Sequence, residues 1–245
     1  MPVRSGLSQK FFAAGYDIGG DIGSIDNLTV SVADLQTPGL DNTAMSRVHG
    51  LADGNLALTS YFNDAVGKSL QTLKTMGGGM WTWVLVKTVG GAVLNGTYQQ
   101  LSYTGNRGRD GSMEMQATGA ISGGVPPEDA VNLTDGGAVT HASAGSGTSV
   151  DQTAGTAFGG IGFLQHISRA SGTPTYLIED STDNGTWATL LTFGTTGGAS
   201  GFGLRQTVTG NVDRYIRATT TGTFTTAIFH ISFRRGTATD IVSLA

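Results

Sequence analysis

Short β-forming blocks separated by turn signals constrain this chain more than any other feature of its sequence. Aromatic and β-branched residues recur in runs with alternating polarity, and glycine-bearing turns separate these runs. The chain has 39 glycines, and 13 % of its residues are charged. Its hydrophobic content of 38 % distinguishes it from a disordered chain, which lacks the apolar side chains needed to offset chain entropy. The sequence therefore predicts an all-β protein.

The first half of the chain predicts a meander of strands. Alternating polarity is typical of strands over 25–32, 55–62 and 97–104, and a dense β-forming run covers 81–88. Three dipeptides that tolerate positive φ predict hairpin turns, namely Asp53-Gly54, Asn95-Gly96 and Asp110-Gly111.

One helix is expected within this meander. Asn63 or Asp64 is a suitable N-cap, and Val66, Leu70 and Leu73 follow at helical spacing. A run of three glycines, 77–79, ends the pattern. The sequence thus predicts a helix that buries these three apolar side chains.

The pattern weakens over 126–147, where Pro126-Pro127 and a glycine- and serine-rich stretch resemble a connector. We therefore predict two domains, 1–140 and 141–245. In the second, Ile161, Phe163 and Ile167 share a strand parity, and six or seven short strands follow one another between turns. This spacing favours a β-sandwich of jelly-roll type.

Charge and cysteine content exclude several classes of protein. The formal net charge is −4, and no cluster of basic residues could hold nucleic acid through its phosphates. The chain has no cysteine and hence no disulfide or thiolate metal site. The most apolar stretch, 76–86, contains glycines and is too short to span a bilayer. The N-terminus does not resemble a secretory signal, so we expect folding in a cytoplasm without processing.

Candidate catalytic or metal-binding groups do not form a recognisable set. The four histidines (His49, His141, His166 and His230) have no metal-ligand spacing, and we predict structural roles for them. The segment 180–185 contains clustered Asp and Asn oxygens that could bind calcium, but it lacks a downstream bidentate acid, and an Asx turn is favoured. Asp17, Asp21 and Asp26 are interpreted as loop carboxylates beside a strand. The sequence predicts no catalytic, cofactor or metal site, and no enzyme.

Several weak motifs in a fixed order resemble a known family. The stretch begins with Tyr16-Asp-Ile-Gly-Gly-Asp-Ile-Gly, continues through 34–65, and returns in Asp183-Asn-Gly-Thr-Trp-Ala-Thr-Leu and in Arg214-Tyr-Ile-Arg-Ala-Thr. These motifs resemble the major tail proteins, or tail-tube proteins, of long-tailed (siphovirus-like) bacteriophages, particularly those of actinobacterial hosts. The resemblance covers most of the chain.

The resemblance implies a tail-tube domain (a β-sandwich or barrel with one α-helix) followed by a C-terminal β-sandwich that decorates the tube. It further implies a structural virion protein, assembled in the bacterial cytoplasm, that forms rings, usually hexameric. These rings stack into the tube through which the genome leaves. The implied partners are copies of the chain, the tape-measure protein and DNA transiently in the lumen, and terminator and baseplate proteins at the ends. No cofactor or membrane insertion is implied.

A loop between two strands, 36–50, corresponds to the segment that contacts the neighbouring ring in this family. Its polar character, with Pro and Gly, suits a segment that becomes ordered on assembly. The predicted contact residues are Gln36, Thr37, Pro38, Leu40, Asp41, Asn42, Met45 and Arg47.

A second function class stays open from the sequence. The chain could be a β-sandwich binding module, that is, a carbohydrate-binding or receptor-binding virion protein. Trp187, Tyr176 and Tyr215 could stack on sugar rings. Each also lies in a strand-like pattern, where packing in the core is the more common role.

Overall fold

The computed structural model describes residues 8–36, 47–194 and 201–237 of the chain. Within these ranges nearly all regular structure is β, with one α-helix, α1 (Ser69–Leu73), and one short 3-10 helix, Asp135–Gly137. The prediction of an all-β fold is confirmed.

The strands fall into two antiparallel sheets. Those of the first half are β1 (Lys10–Ala13), β2 (Tyr16–Asp17), β3 (Ile22–Gln36), β4 (Arg47–Tyr61), β5 (Gly78–Val84), β6 (Ala92–Arg107), β7 (Met113–Ile121) and β8 (Glu128–Asn132). Those of the second half are β9 (Val139–His141), β10 (Gly145–Ser146), β11 (Val150–Asp151), β12 (Gly160–Gly172), β13 (Thr175–Ser181), β14 (Ala188–Phe193), β15 (Phe202–Val208), β16 (Tyr215–Thr221) and β17 (Phe224–Arg235).

The larger sheet contains twelve strands and joins the two halves of the chain. Its main path is β15-β12-β17-β8-β6-β5-β1-β2, and β7, β4 and β3 extend it from β6. The long strand β6 makes this branch possible because its first half pairs with β5 and β8 while its second half pairs with β7. The smaller sheet has five strands, β10, β11, β16, β13 and β14.

Strand β12 forms a middle layer that is covered on both faces. On one face, Ile161 and Phe163 form a cluster with Met80 and Ala130 of the first half. On the other face, Leu164 joins the core that β12 and β17 share with the five-stranded sheet. This explains why the first seven residues of β12 are all buried, whereas a strand with one open face shows alternation.

Buried polar contacts fix how the first half packs on β12 and β17. The amide nitrogen of Gln165 donates to the Met80 carbonyl and to Thr82 Oγ1, both at 2.9 Å. Its oxygen accepts the N–H of Gly15 at 2.7 Å. A second contact joins Asn95 Nδ2 to Ser232 Oγ at 3.1 Å. Since an unpaired buried polar group is costly, this network favours one relative position of the two halves.

Regular structure continues through the stretch that the sequence predicts to be a connector. Residues 126–147 contain β8 and β9, and both pair with β17 of the larger sheet. The paired residues of β8 and β9 therefore satisfy their backbone groups in the sheet. The division into domains at residue 140 stays a prediction.

Of the three predicted hairpin turns, one is confirmed and two are wrong. Gly111 has a φ of 91° and lies in the turn between β6 and β7. Asp53-Gly54 and Asn95-Gly96 instead lie inside β4 and β6. Glycine serves close packing there: a Cβ at Gly54 would lie 2.6 Å from Ile121 Cδ1, and one at Gly96 would lie 2.6 Å from the Tyr98 ring.

The helix is shorter than predicted and begins later. Its N-cap position is Lys68, which makes no side-chain cap, so neither Asn63 nor Asp64 caps it. Asp21 takes that role from a distance, because its Oδ2 accepts the N–H of Ser69 at 3.0 Å. Val66 is 95 % exposed and does not belong to the core.

Replacing Gly15 by alanine is expected to destabilise the fold. Gly15 has a φ of 86°, and a Cβ there would lie 2.1 Å from the backbone nitrogen of Phe202. We expect a loss of at least about 1–3 kcal/mol, the usual cost of a strained backbone, because the backbone clash adds to it. Urea unfolding measures this loss. The matched control is Gly20→Ala, whose Cβ would have no neighbour within 4 Å and should leave the midpoint unchanged.

Candidate assembly surface

Exposed large hydrophobic side chains concentrate on one part of the molecule. Among the described residues all but Phe158 belong to the first half, and they lie on β3, β4, β6, β7 and the segment around α1. They are Val30, Val32, Leu35, Val48, Leu51, Tyr61, Phe62, Val66, Met76, Leu101 and Met113. Exposed apolar side chains that lie together are typical of an interaction surface.

The far ends of β3 and β4 form a two-stranded ribbon, defined as residues 30–36 and 47–54. The pairing of β4 with β7 ends at Asn55, whereas the pairing with β3 continues to Arg47. The ribbon therefore projects about 25 Å beyond its last neighbouring strand at the usual rise per residue. Leu51 on this ribbon is 88 % exposed. A lone pair of strands is only marginally stable in water, so a partner surface would stabilise it.

The ribbon leads to the loop that the sequence predicts as a contact between rings. Gln36 and Arg47 form the last described pair, and Arg47 Nη1 makes an ion pair with Asp34 at 2.6 Å. The other predicted contact residues lie outside the described residues; they are Thr37, Pro38, Leu40, Asp41, Asn42 and Met45.

Sequence reasoning missed the apolar residues of the ribbon as part of the surface. Leu28, Val30 and Val32 lie on one face of the predicted strand 25–32, but Val30 is 49 % exposed and Val32 is 46 % exposed. The alternation could not have identified them, because it covers only 25–32, whereas β3 has 15 residues and continues to Gln36. Where the neighbouring strand ends is not visible in a local pattern.

The sheet β3-β4-β7-β6 has two free edges. Among the described residues, β3 pairs with β4 alone, and residues 101–107 of β6 have no strand partner on the side where β5 pairs with 93–99. By register, the free edge of β6 lies level with residues 22–29 of β3. Free edges of this length invite pairing with another chain.

The number of strands determines how copies could join. Four antiparallel strands give edges that run in opposite directions, so β6 of one copy would lie antiparallel to β3 of the next in a ring. A closed ring of identical copies would then have one continuous antiparallel sheet. In that arrangement residues 22–29 of β3 pair within the ring, and the ribbon extends beyond it.

One face of this sheet is open and polar. Its cross-strand neighbours include Thr59, Gln116 and Thr104, which lie side by side on β4, β7 and β6. Hydroxyl, amide, carboxylate and small apolar side chains make up most of the rest of the face, together with the exposed ring of Tyr61: Ser24, Asp26, Asn27, Thr29, Asn55, Ala57, Tyr61, Ser102, Asn106, Glu114, Thr118 and Ala120. None of these residues is Lys or Arg. The face therefore offers no ionic contact to a phosphate.

The three N-terminal carboxylates have structural partners, but the interpretation of all three as loop residues is wrong, because Asp17 lies in β2 and Asp26 in β3. Asp17 makes an ion pair with Lys10 at 2.5 Å. Asp21 caps α1, and Asp26 accepts a hydrogen bond from Thr59 Oγ1 at 2.7 Å. Each carboxylate thus holds together neighbouring parts of the first half.

The candidate metal and histidine positions also have structural partners. Asp183 Oδ1 accepts the N–H groups of Gly185 and Thr186, each at 2.8 Å, and these bonds lower its pKa to about 2. This is the geometry of an Asx turn. Within the described residues, no group of three or more His, Asp or Glu could hold a metal ion.

His166 and His230 lie buried on β12 and β17. His230 Nδ1 donates to the Gly137 carbonyl at 2.8 Å, and His166 Nδ1 shares a hydrogen bond with the Tyr176 hydroxyl at 2.6 Å. Burial lowers the pKa of each imidazole to about 4, and the charge of Arg169 adds to the effect at His166. Both side chains are therefore neutral parts of the core at neutral pH.

The three aromatic residues considered for sugar stacking differ in exposure. Tyr176 is fully buried at the centre of the second core, so it is not available to a ligand. Trp187 and Tyr215 are half-buried. Each has a guanidinium against its ring, that of Arg217 at 4.1 Å and that of Arg214 at 4.9 Å.

No helix in the described ranges combines the length and apolar character that crossing a membrane requires.

Comparison with known proteins gives distant structural similarity. No protein-family model and no curated protein matches the chain. Among solved structures, it is similar to a chain of the native gene transfer agent virion, with a TM-score of 0.42 and 10 % identity over 51 % of this chain and 99 % of that one.

Two further similar structures extend over more of the chain. The Dit protein of phage SPP1, described as a hub adsorption apparatus, has a TM-score of 0.31 and 10 % identity over 93 % of this chain and 99 % of its own. A chain of the phage p2 baseplate has a TM-score of 0.37 and 9 % identity over 93 % of this chain and 98 % of its own.

Proposed function

We propose that this chain is a structural, non-enzymatic protein of a phage tail that assembles with copies of itself into stacked rings. The observation that most strongly supports this proposal is that one sheet combines two free, oppositely directed edges with an apolar ribbon. Edge pairing closes the ring, and the ribbon reaches toward the next ring. The sequence resemblance to tail-tube proteins supports the same role.

The open polar face suits the lumen of such a tube. It carries the carboxylates Asp26 and Glu114 without any Lys or Arg. Phosphates bind proteins through basic side chains and the release of counterions. A lumen built from this face would let DNA pass without holding it, and terminator, baseplate and tape-measure proteins would be the further partners.

The second half would sit outside the tube in this arrangement. Its exposed surface has one large hydrophobic side chain among the described residues, Phe158. It therefore offers little apolar surface for contacts between rings. The five-stranded sheet is then free to act as a decoration of the tube.

Replacing Leu51 by aspartate is expected to shorten or abolish assemblies while leaving the single chain folded. Leu51 is 88 % exposed in the single chain, so the substitution removes no core contact. Burying a leucine contributes about 1.5–3 kcal/mol, and its loss at each contact should raise the concentration needed for assembly roughly ten- to hundredfold. Sedimentation velocity over a concentration series measures this shift.

Phe158→Asp is the matched control for this experiment. Phe158 is also an exposed hydrophobic residue, at 39 %, but it lies in the second half. We expect it to assemble like the wild-type chain. Equal assembly of the Leu51→Asp and wild-type chains would contradict the role of the ribbon.

A further inference from the structure

Both free edges of the sheet β3-β4-β7-β6 carry apolar side chains that the single chain leaves exposed. On the β6 edge, Leu101 is 61 % exposed, and it is the extra residue of a bulge against β7. On the β3 edge, Val30 and Val32 are half-exposed. When two such edges pair, the register decides which of these side chains become covered.

Equal level within the single chain does not give the register between copies. Through β4 and β7, Thr104 of β6 lies level with Ser24 of β3, and these positions would pair only in a ring of strands parallel to its axis. A sheet closes into a barrel when its strands tilt by about 35–45°, which staggers them. Four strands per copy at about 4.8 Å then stagger each copy by about 16 Å, or about five residues, whatever the number of copies.

The hand of the sheet sets the direction of this stagger. The N–H of Tyr61 on β4 donates to the Asp21 carbonyl, directly before β3, and the Tyr61 side chain lies on the open face. For L-residues this places β3 to the left of β4 and β6 to the right, seen from the core face with β4 pointing upward. Barrel strands coil in a right-handed sense, so with the open face inward the partner of β6 moves toward the C-terminal end of β3. The opposite direction would pass the start of β3 at Ile22.

The faces of the sheet restrict the stagger to an even number of residues, since polar and apolar sides must stay on their own sides. A stagger of four places Tyr103 opposite Val30 and Leu101 opposite Val32 of the next copy. Tyr103 belongs to the core face, where it packs partly against the first-half core. A stagger of six would instead bring Leu101 opposite the carboxylate of Asp34.

The open face matches at the same stagger of four. Thr104 then lies opposite Thr29 of the next copy, and both side chains are exposed in the single chain. The neighbouring pairs on this face are Ser102 with Ser31 and Asn106 with Asn27. Directly opposed hydroxyls and amides can form hydrogen bonds across strands, which stabilises the pairing.

We propose that residues 101–106 of β6 pair with residues 27–32 of β3 in the next copy, with Leu101 on Val32 and Tyr103 on Val30. The inference rests on the proposed assembly into rings and adds the register of their joint. It assigns a partner to the first part of the β3 strand of the ribbon. The β4 strand of the ribbon gains no neighbour, so the ribbon still projects.

Cysteine cross-linking tests this register directly, because the chain has no cysteine of its own. The test variant combines Thr104→Cys with Thr29→Cys. Within one copy β4 and β7 separate these two positions by at least about 14 Å, whereas a disulfide needs Cα atoms within about 7 Å. A disulfide in this variant therefore joins two copies.

Two matched variants report the competing registers. Thr104→Cys with Ser24→Cys corresponds to no stagger, and Thr104→Cys with Ser31→Cys corresponds to a stagger of six; both serines are exposed. After mild oxidation of the concentrated full chain, we expect a ladder of covalent oligomers on a non-reducing gel for the Thr29 variant. The Ser24 and Ser31 variants should run as single chains.

The outcomes separate the register from the assembly itself. A ladder from the Ser24 or Ser31 variant in place of the Thr29 variant would overturn the register and leave the ring intact. Rings seen by electron microscopy without a ladder from any variant would overturn the pairing of β6 with β3. Absence of rings from the wild-type chain would count against the assembly proposal and, with it, against this joint.

Discussion

Lowering the pH from 7.5 to 5 is expected to reduce the free energy of unfolding by about 4 kcal/mol through two buried histidines. Burial lowers the pKa of His166 and of His230 to about 4, from an ordinary value of 6.5. Between these two values the unfolded chain binds a proton at each site and the folded chain does not. The contribution of these two histidines to the free energy of unfolding is therefore fully present well above pH 6.5. It falls as the pH decreases toward 4, by about 2 kcal/mol per histidine at pH 5.

The structural cause is the same at both histidines. Nε2 of each imidazole is buried without a hydrogen-bond partner in the described structure, so a proton there would have no acceptor. His230 is also stacked on Phe12, with ring centroids 5.5 Å apart. Protonation would place a positive charge inside an apolar contact between the two halves of the chain.

Urea unfolding at several pH values between 5 and 7.5 measures this dependence. His230→Phe is expected to lower stability at pH 7.5, since the hydrogen bond to Gly137 is lost, and also to reduce the pH slope by about half. The slope, rather than the absolute stability, identifies the titrating group. A free energy of unfolding that is the same at pH 5 and pH 7.5 would contradict this account.

Replacing Glu128 by alanine is expected to cost about 3–5 kcal/mol, the usual effect of removing one partner from a buried ion pair. The Glu128 side chain is 3 % exposed. Arg205 approaches it with Nε at 2.8 Å and Nη2 at 3.2 Å, and Arg234 Nη1 approaches at 3.1 Å. The carboxylate thus joins β8 of the first half to β15 and β17 of the second, and its removal leaves two guanidinium groups without that partner.

Asp151→Ala provides the matched control for Glu128→Ala. Asp151 also accepts two hydrogen bonds from one arginine, Arg214, at 2.7 and 2.6 Å, but this pair is exposed to solvent. Exposed pairs contribute little to stability because water and salt screen them. Thermal unfolding should therefore show a larger loss of stability for Glu128→Ala than for Asp151→Ala. Equal losses would contradict the role of burial at Glu128.

The sequence predicts the class of fold because alternation and turn chemistry are local. It does not predict the role of each glycine, since that depends on distant neighbours. Asp110-Gly111 and Asp53-Gly54 have the same local chemistry, but Gly54 lies in a strand against Ile121, which is far away in the chain. The cap on α1 is also non-local, because Asp21 precedes Ser69 by 48 residues. These features follow from tertiary packing.

The candidate surface was predictable in part. A contact at 36–50 follows from the family resemblance and stays a prediction, since 37–46 lie outside the described residues; the exposed ribbon leads to that segment. The free edges of β3 and β6 could not be predicted, because strand order is a property of the whole sheet. The same reason separates Tyr176 from Trp187: both lie in strand-like patterns, but the second core covers Tyr176 completely.

Negative-stain electron microscopy of the concentrated, full-length chain tests the central proposal most directly. Self-assembly through two free edges and a projecting ribbon predicts hollow tubes, or stacked rings with a central channel. The number of particles and their length should increase with protein concentration. Dispersed particles with the mass of one chain at every concentration would contradict the proposal that this protein builds a tube.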